Sequence, residues 1–230
     1  HQEPSGSPFN VDVVTGRELE ASAAAGFFVS RDGWLITSAK ALSLDRQTQE
    51  LEPGYVIKIV TEAGIFSVTD SIHLNKDESI AAVKVAGTFL PLPLSDSDEI
   101  TEEAAMFAVS IDSPSGDNFV PQILKGAVNH AGKGRRNEPI FTVNTTEISD
   151  SLSNFMLFNP LGQATGFALP PEHPGATELA AVEINDIKNF LKNNISGITL
   201  EESQALTEPS EVALMDHARQ CTAMVVVYRN

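Results

Sequence analysis

The side chains of this 230-residue chain that could do chemistry are few and scattered. His73, Asp77 and Ser79 lie close together in sequence and supply the residue types of a general base, its orienting carboxylate and a nucleophile. No spacing rule brings their side chains together. His130, His173 and His217 sit in polar, Gly- or Pro-rich or helical contexts, without the close His/Cys/Asp spacings of a metal site. Solvated histidines and no metal are expected. The acidic run Asp96 to Glu103 lacks the glycine and terminal glutamate of a calcium loop and reads as a solvated connector. Asn129 to Asn137, NHAGKGRRN, would hold a phosphate only if its amides converged, and reads as a hairpin tip. Cys221, the single cysteine, cannot form an internal disulfide.

Short strands dominate the elements that must position these groups. Runs rich in Val, Ile, Phe and Thr, separated by Gly, Pro, Asp and Ser clusters, extend to about Ala181 in the manner of all-β barrels or sandwiches. Arg31-Asp32-Gly33 predicts a hairpin connection between Gly26–Val29 and Trp34–Thr37, and Thr61-Glu62-Ala63 predicts another. Ile184, Ile187, Phe190 and Leu191 fall on one face of a short amphipathic helix. Ser210 or Thr207 can cap a second helix through about Gln220, followed by the β-prone run Ala223 to Tyr228. The net charge of −16 repels a phosphate backbone, which argues against nucleic acid as a partner. No apolar run approaches the roughly 18–20 residues of a membrane span.

Five segments carry a family resemblance. Gly26 to Leu42, GFFVSRDGWLITSAKAL, resembles the segment that delivers the catalytic histidine in trypsin-like serine proteases, and in particular the HtrA-type branch, with Lys40 at the histidine position. Ser79-Ile-Ala-Ala-Val-Lys-Val is similar to the family strand D-L-A-V-L-K-V, with Ser79 at the aspartate. Met106 to Asn129 resembles the V-x-A-I-G-N-P-x-G…G-x-V-S segment. Phe141 to Gly166 resembles the nucleophile segment, with Ser153 on the serine. Around it Ser151, Leu152, Asn154, Phe155 and Met156 stand where the family has Gly, Asn, Gly, Gly and Pro. Those glycines let the backbone turn tightly and present N–H groups to an oxyanion. Phe155 and Met156 are expected to occupy that space or to force a different loop path. Leu179 to Leu191 resembles the family's closing strand and helix.

The resemblance implies an all-β fold of two antiparallel six-stranded β-barrels of trypsin-like type, a short C-terminal helix and a helix-strand tail. Barrel one covers about 9–94, barrel two about 104–182 and the closing helix about 184–192 of a protease-homology domain at 1–198, with the tail at 199–230. It implies a non-catalytic homologue, a pseudoprotease, that acts without a cofactor as a protein- or peptide-binding or scaffolding module. Its vestigial triad positions are Lys40, Ser79 and Ser153, and its degenerate oxyanion loop is Ser151, Leu152, Ser153, Asn154 and Phe155. A periplasmic or secreted location follows from the resemblance alone. Two alternatives stand beside this reading: an atypical serine hydrolase using Ser153 with Lys40, and a purely structural domain of a larger protein. The first requires the Lys40 amine to fall from about 10.4 toward 7, roughly 4–5 kcal/mol of differential stabilisation. The run Met224 to Tyr228 is too β-prone to remain an open edge, and is expected to pair with the first barrel of its own chain or, by self-association, of a second copy.

Overall fold

A computed structural model describes residues 21–45, 48, 50–96, 105–111, 121–133, 139–142, 154–169, 178–201 and 210–229. The Asp-Gly signal makes the first hairpin, between β1 (Ala21–Phe28) and β2 (Trp34–Ser38). Gly33 has φ +94°, and a Cβ there would meet the Val85 carbonyl oxygen at 2.2 Å, so both the turn and the close approach require glycine. Ser30 Oγ donates to Asp32 Oδ1 at 2.6 Å, and the Trp34 N–H donates to Ser30 Oγ at 3.0 Å. Burial works against the charge on Asp32, but the Lys84 ammonium and the Ser30 hydroxyl outweigh it and hold the carboxyl below its usual range. Next come β3 (Tyr55–Thr61) and β4 (Gly64–Leu74), joined at Glu62-Ala63 as the turn residues predict, and then β5 (Ile80–Val85).

The second half supplies β6 (Ala105–Ile111), β7 (Pro121–Lys133), β8 (Pro139–Thr142), β9 (Phe155–Phe158), β10 (Ala164–Ala168) and β11 (Glu178–Glu183). Helix α1 (Ile184–Asn194) buries Ile184, Ile187 and Leu191 on the predicted face. Helix α2 (Glu211–Cys221) is capped by Ser210, whose hydroxyl accepts from the Ala213 N–H at 3.2 Å, and it passes directly into β12 (Thr222–Arg229).

In the first barrel the strand order is β1-β12-β3-β4-β5-β2, closed by β1 against β2. β12 runs antiparallel to β1 from Ala21↔Tyr228 to Phe27↔Thr222, and to β3 from Met224↔Val60 to Arg229↔Tyr55. The stretch expected as a tail outside the 1–198 domain is therefore a wall of barrel one, paired within its own chain. Without it β1 and β3 would each present a bare edge. The second set of strands pairs in the order β10-β11-β8-β7-β6-β9 and returns from β9 to β10. Its β7–β8 seam is the loose one, with two register shifts along the pairing.

Alternation along the strands explains the long apolar runs. Phe28, Leu35, Ile59, Val225 and Val227 fill the inside of barrel one. Their neighbours Phe27, Ile36, Met224 and Val226 face the other way, into a core shared with barrel two and both helices. Both faces of β12 are thus buried, so Met224 to Val227 reads as an unbroken apolar run. Across the shared core Phe27 meets Phe167 edge to face, with ring centroids 6.1 Å apart. The connector between the barrels lies along β10: the Ser95 N–H donates to the Ala164 carbonyl and the Ala164 N–H to the Pro93 carbonyl. Lys188 of α1, buried, donates to the Ser95 carbonyl at 2.6 Å and holds it there. Met224→Ala should cost about 2–5 kcal/mol in urea unfolding, and ending the chain before residue 208 should abolish the cooperative transition. A truncated chain that melts like the full one would show that β12 is dispensable.

Candidate functional site

The β2–β5 ladder brings the chain just before Lys40 alongside Ser79, 39 residues further on. Ser38 pairs with Ile80, and beyond it the Ala39 N–H donates to the Ser79 carbonyl at 3.1 Å. A single 3-10 turn, Ala39–Leu42, follows β2, with Ala39 and Leu42 buried and Lys40 exposed between them. Ser43 closes the turn at φ +47°. Ser38, at its root, has a buried hydroxyl with no hydrogen-bond partner among the described residues.

Ser79 is held by Asn75, a residue the sequence reading did not single out. Asn75 Oδ1 accepts the N–H groups of Ser79 and Ile80 at 2.8 and 2.9 Å, and Asn75 Nδ2 donates to Ser79 Oγ at 3.0 Å. The Glu78 N–H donates to the Asn75 carbonyl, with Glu78 at φ +53°. An Asn side chain that organises its own turn is a recognisable signal, legible in the Asn75-Lys-Asp-Glu order before a strand. The Ser79 hydroxyl is thereby occupied as a structural group.

Ser151, Leu152 and Ser153 lie outside the described residues. Their neighbour Asn154 marks the place: it is fully buried, its Nδ2 donates to the Ala25 carbonyl at 2.8 Å, and its own carbonyl accepts from Ser110 Oγ at 2.7 Å. The same Ala25 oxygen accepts from Thr37 Oγ1 at 2.8 Å. A glycine at 154 could not make this bond between the barrels. Phe155 and Met156 correct an expectation. They neither fill the cleft nor belong to the loop, because β9 begins at Phe155 and its alternation sends Phe155 into the inside of barrel two and Met156 into the shared core.

The histidines do not assemble with these positions. His73 packs its ring against Trp34 at 5.5 Å, while Asp77 sits exposed in the Asn75–Ser79 turn. His173 lies outside the described residues, as does the side chain of His130. His217 was expected to be solvated, but one helical turn before Cys221 it is partly buried, with Nε2 3.3 Å from the thiol sulfur. Burial lowers the His217 pKa from its ordinary value, and burial pushes the Cys221 thiol up to about 12. A thiol held protonated in this way is a packing group, not a nucleophile. Among the described residues no cluster of His, Cys, Asp and Glu gathers as a metal site.

Two closed sets of strands, with the 40 and 79 positions on adjacent turns and the 154 position tied to the same barrel, define a protease-type scaffold. The profile of the trypsin-like peptidase domain matches residues 24–166, and the chain belongs to that family. Among solved structures it is similar to the apo MamO protease domain from Magnetospirillum magneticum, with 18% identity, 73% of this chain and 93% of that chain covered, and a TM-score of 0.50. At that identity the likeness speaks for the fold. Among curated proteins nothing matches the chain.

Asn154→Ala should cost about 1–3 kcal/mol in chemical unfolding, the loss of a buried amide's bonds, and an unchanged midpoint would remove Asn154 from the inter-barrel contact. The Cys221–His217 pair sets a pH window. The unfolded chain takes up a proton at His217 more readily than the folded one, so stability falls as pH drops below about 6.5. It releases the Cys221 proton more readily, so stability falls again as pH rises above about 8.5. His217→Gln should flatten the acid limb of the unfolding free energy and Cys221→Ala the alkaline limb, and the native thiol should resist Ellman's reagent until the chain unfolds.

Proposed function

We propose that this domain is a non-catalytic trypsin-like homologue, descended from the HtrA-type branch, that binds protein or peptide segments. The observation that carries the reading is the pair Lys40 and Ser79. An exposed lysine occupies the position of the family's general base, and the orienting carboxylate is replaced by a serine whose hydroxyl and N–H are both taken by Asn75. Serine hydrolysis needs a base within hydrogen-bond reach of the nucleophile and a third group to orient it. Lysines that serve as such a base are buried ones, and Lys40 is exposed.

Asn154 adds support from the nucleophile side. The side chain in place of a glycine ties Asn154, directly after Ser153, to the Ala25 carbonyl, where active relatives have bare main chain. The packing is kept while the chemistry is exchanged: both barrels retain buried cores. A scaffold preserved in this way can hold a peptide segment on its surface without cutting it.

A fluorophosphonate probe should leave Ser153 unlabelled, and casein and peptide esters should survive at neutral pH. The double variant Lys40→His with Ser79→Asp should stay inactive, because triad members act only together with a competent oxyanion loop. Turnover by the native protein that disappears in Ser153→Ala would overturn the reading.

A further inference from the structure

The turn that immobilises Ser79 also forms one wall of a cavity of about 680 Å³, within the roughly 300–1,000 Å³ of known ligand sites. The opposite wall is Leu169, the end of β11 and helix α1. Its accessible apolar lining is Leu169, Val182 and Phe190, set over the buried Ile80, Ala181 and Ile187. Its rim carries the exposed carboxylates of Asp77, Glu183 and Asp186, against one cation, Lys76.

Elsewhere on this acidic protein several exposed or half-exposed carboxylates are matched to a cation. Asp32 pairs with Lys84, Glu62 with Arg219 and Glu201 with Arg31. Asp77, Glu183 and Asp186 have no ion-pair partner among the described residues. Three unneutralised carboxylates around an apolar base are complementary to one kind of occupant, an aliphatic side chain flanked by lysine or arginine. We propose that this cavity is a docking site for a basic, aliphatic peptide segment of a partner protein. The inference rests on the peptide-binding reading above and adds its place and its chemical class. The segment sets its aliphatic side chain against Leu169, Val182 and Phe190, and its cations reach Asp77 on one barrel and Glu183 and Asp186 on the other. The two barrels are thereby read together. Acidic or uncharged segments are rejected by the rim, and the attraction weakens with salt, because a Debye length of about 8 Å at physiological ionic strength screens exposed charges.

The test uses the full chain and four fluorescein-labelled hexapeptides with the cores Lys-Leu-Arg, Lys-Ser-Arg, Ser-Leu-Ser and Glu-Leu-Glu, read by anisotropy and by amide NMR shifts. The Lys-Leu-Arg peptide should bind about tenfold or more tighter than each of the others, weaken as salt rises, and shift the amides of Asn75 to Ile80 and of α1. Glu183→Lys with Asp186→Lys, both exposed positions, should lower that affinity about tenfold or more while the far-UV spectrum is kept. Equal binding of the Glu-Leu-Glu peptide, an unchanged affinity in the double variant, or no binding at all would overturn the site. Binding whose amide shifts lie around Lys40 and Asn154 would overturn the cavity and leave the peptide-binding reading standing. Cleavage of the bound peptide, seen by mass spectrometry, would instead overturn the non-catalytic reading.

Discussion

The closure of the first barrel by β12 is the constraint on which the other contacts depend. β12 occupies the gap between β1 and β3, and its two faces feed two different cores: Val225 and Val227 the inside of barrel one, Met224 and Val226 the core shared with barrel two. Its partners lie 164 to 207 residues away along the chain, so the loop-closure entropy of that pairing is repaid only when both seams and both cores form together. α2 enters the same structure from the other side, placing Leu214, Ala218 and Cys221 on the shared core immediately before β12 begins. The pair of barrels is therefore one cooperative body.

Within that body the Ala25 carbonyl is the polar node. It receives Thr37 Oγ1 from β2 and Asn154 Nδ2 from the start of β9. A buried carbonyl with two donors fixes the distance between the barrels more sharply than apolar packing alone, because each donor would be costly to leave unpaired. The node lies close to the positions where relatives carry out chemistry. Its donors fasten the chain on either side of that region, at Thr37 shortly before Lys40 and at Asn154 directly after Ser153.

Within the trypsin-like scaffold each of these positions has a definite structural setting. Ser79 serves a turn, Asn154 serves the inter-barrel contact, and Lys40 faces solvent. The same Asn75–Ser79 turn that occupies the Ser79 hydroxyl also raises Asp77 onto the rim of the cavity beside α1. One asparagine that folds its own turn accounts both for the bonds on Ser79 and for the position of Asp77.

Much of this was legible in the residues because it is encoded at short range. Asp32-Gly33 fixed the first hairpin through a positive φ, the spacing of Ile184, Ile187 and Leu191 fixed the buried face of α1, and Ser210 marked the cap of α2. The roles of Phe155 and Met156 were not legible. Substitutions for glycine and proline beside a nucleophile read as a blocked loop, whereas the strand's register turns both side chains into cores. Nor did sequence name the partner of Asn154, the half-buried state of His217 or the walls of the cavity. Turn chemistry and side-chain periodicity act over a few neighbouring residues and can be read from them. Which strand fills the gap between β1 and β3, and which carbonyl meets Asn154, depend on contacts between remote segments that exist only once the barrels have closed.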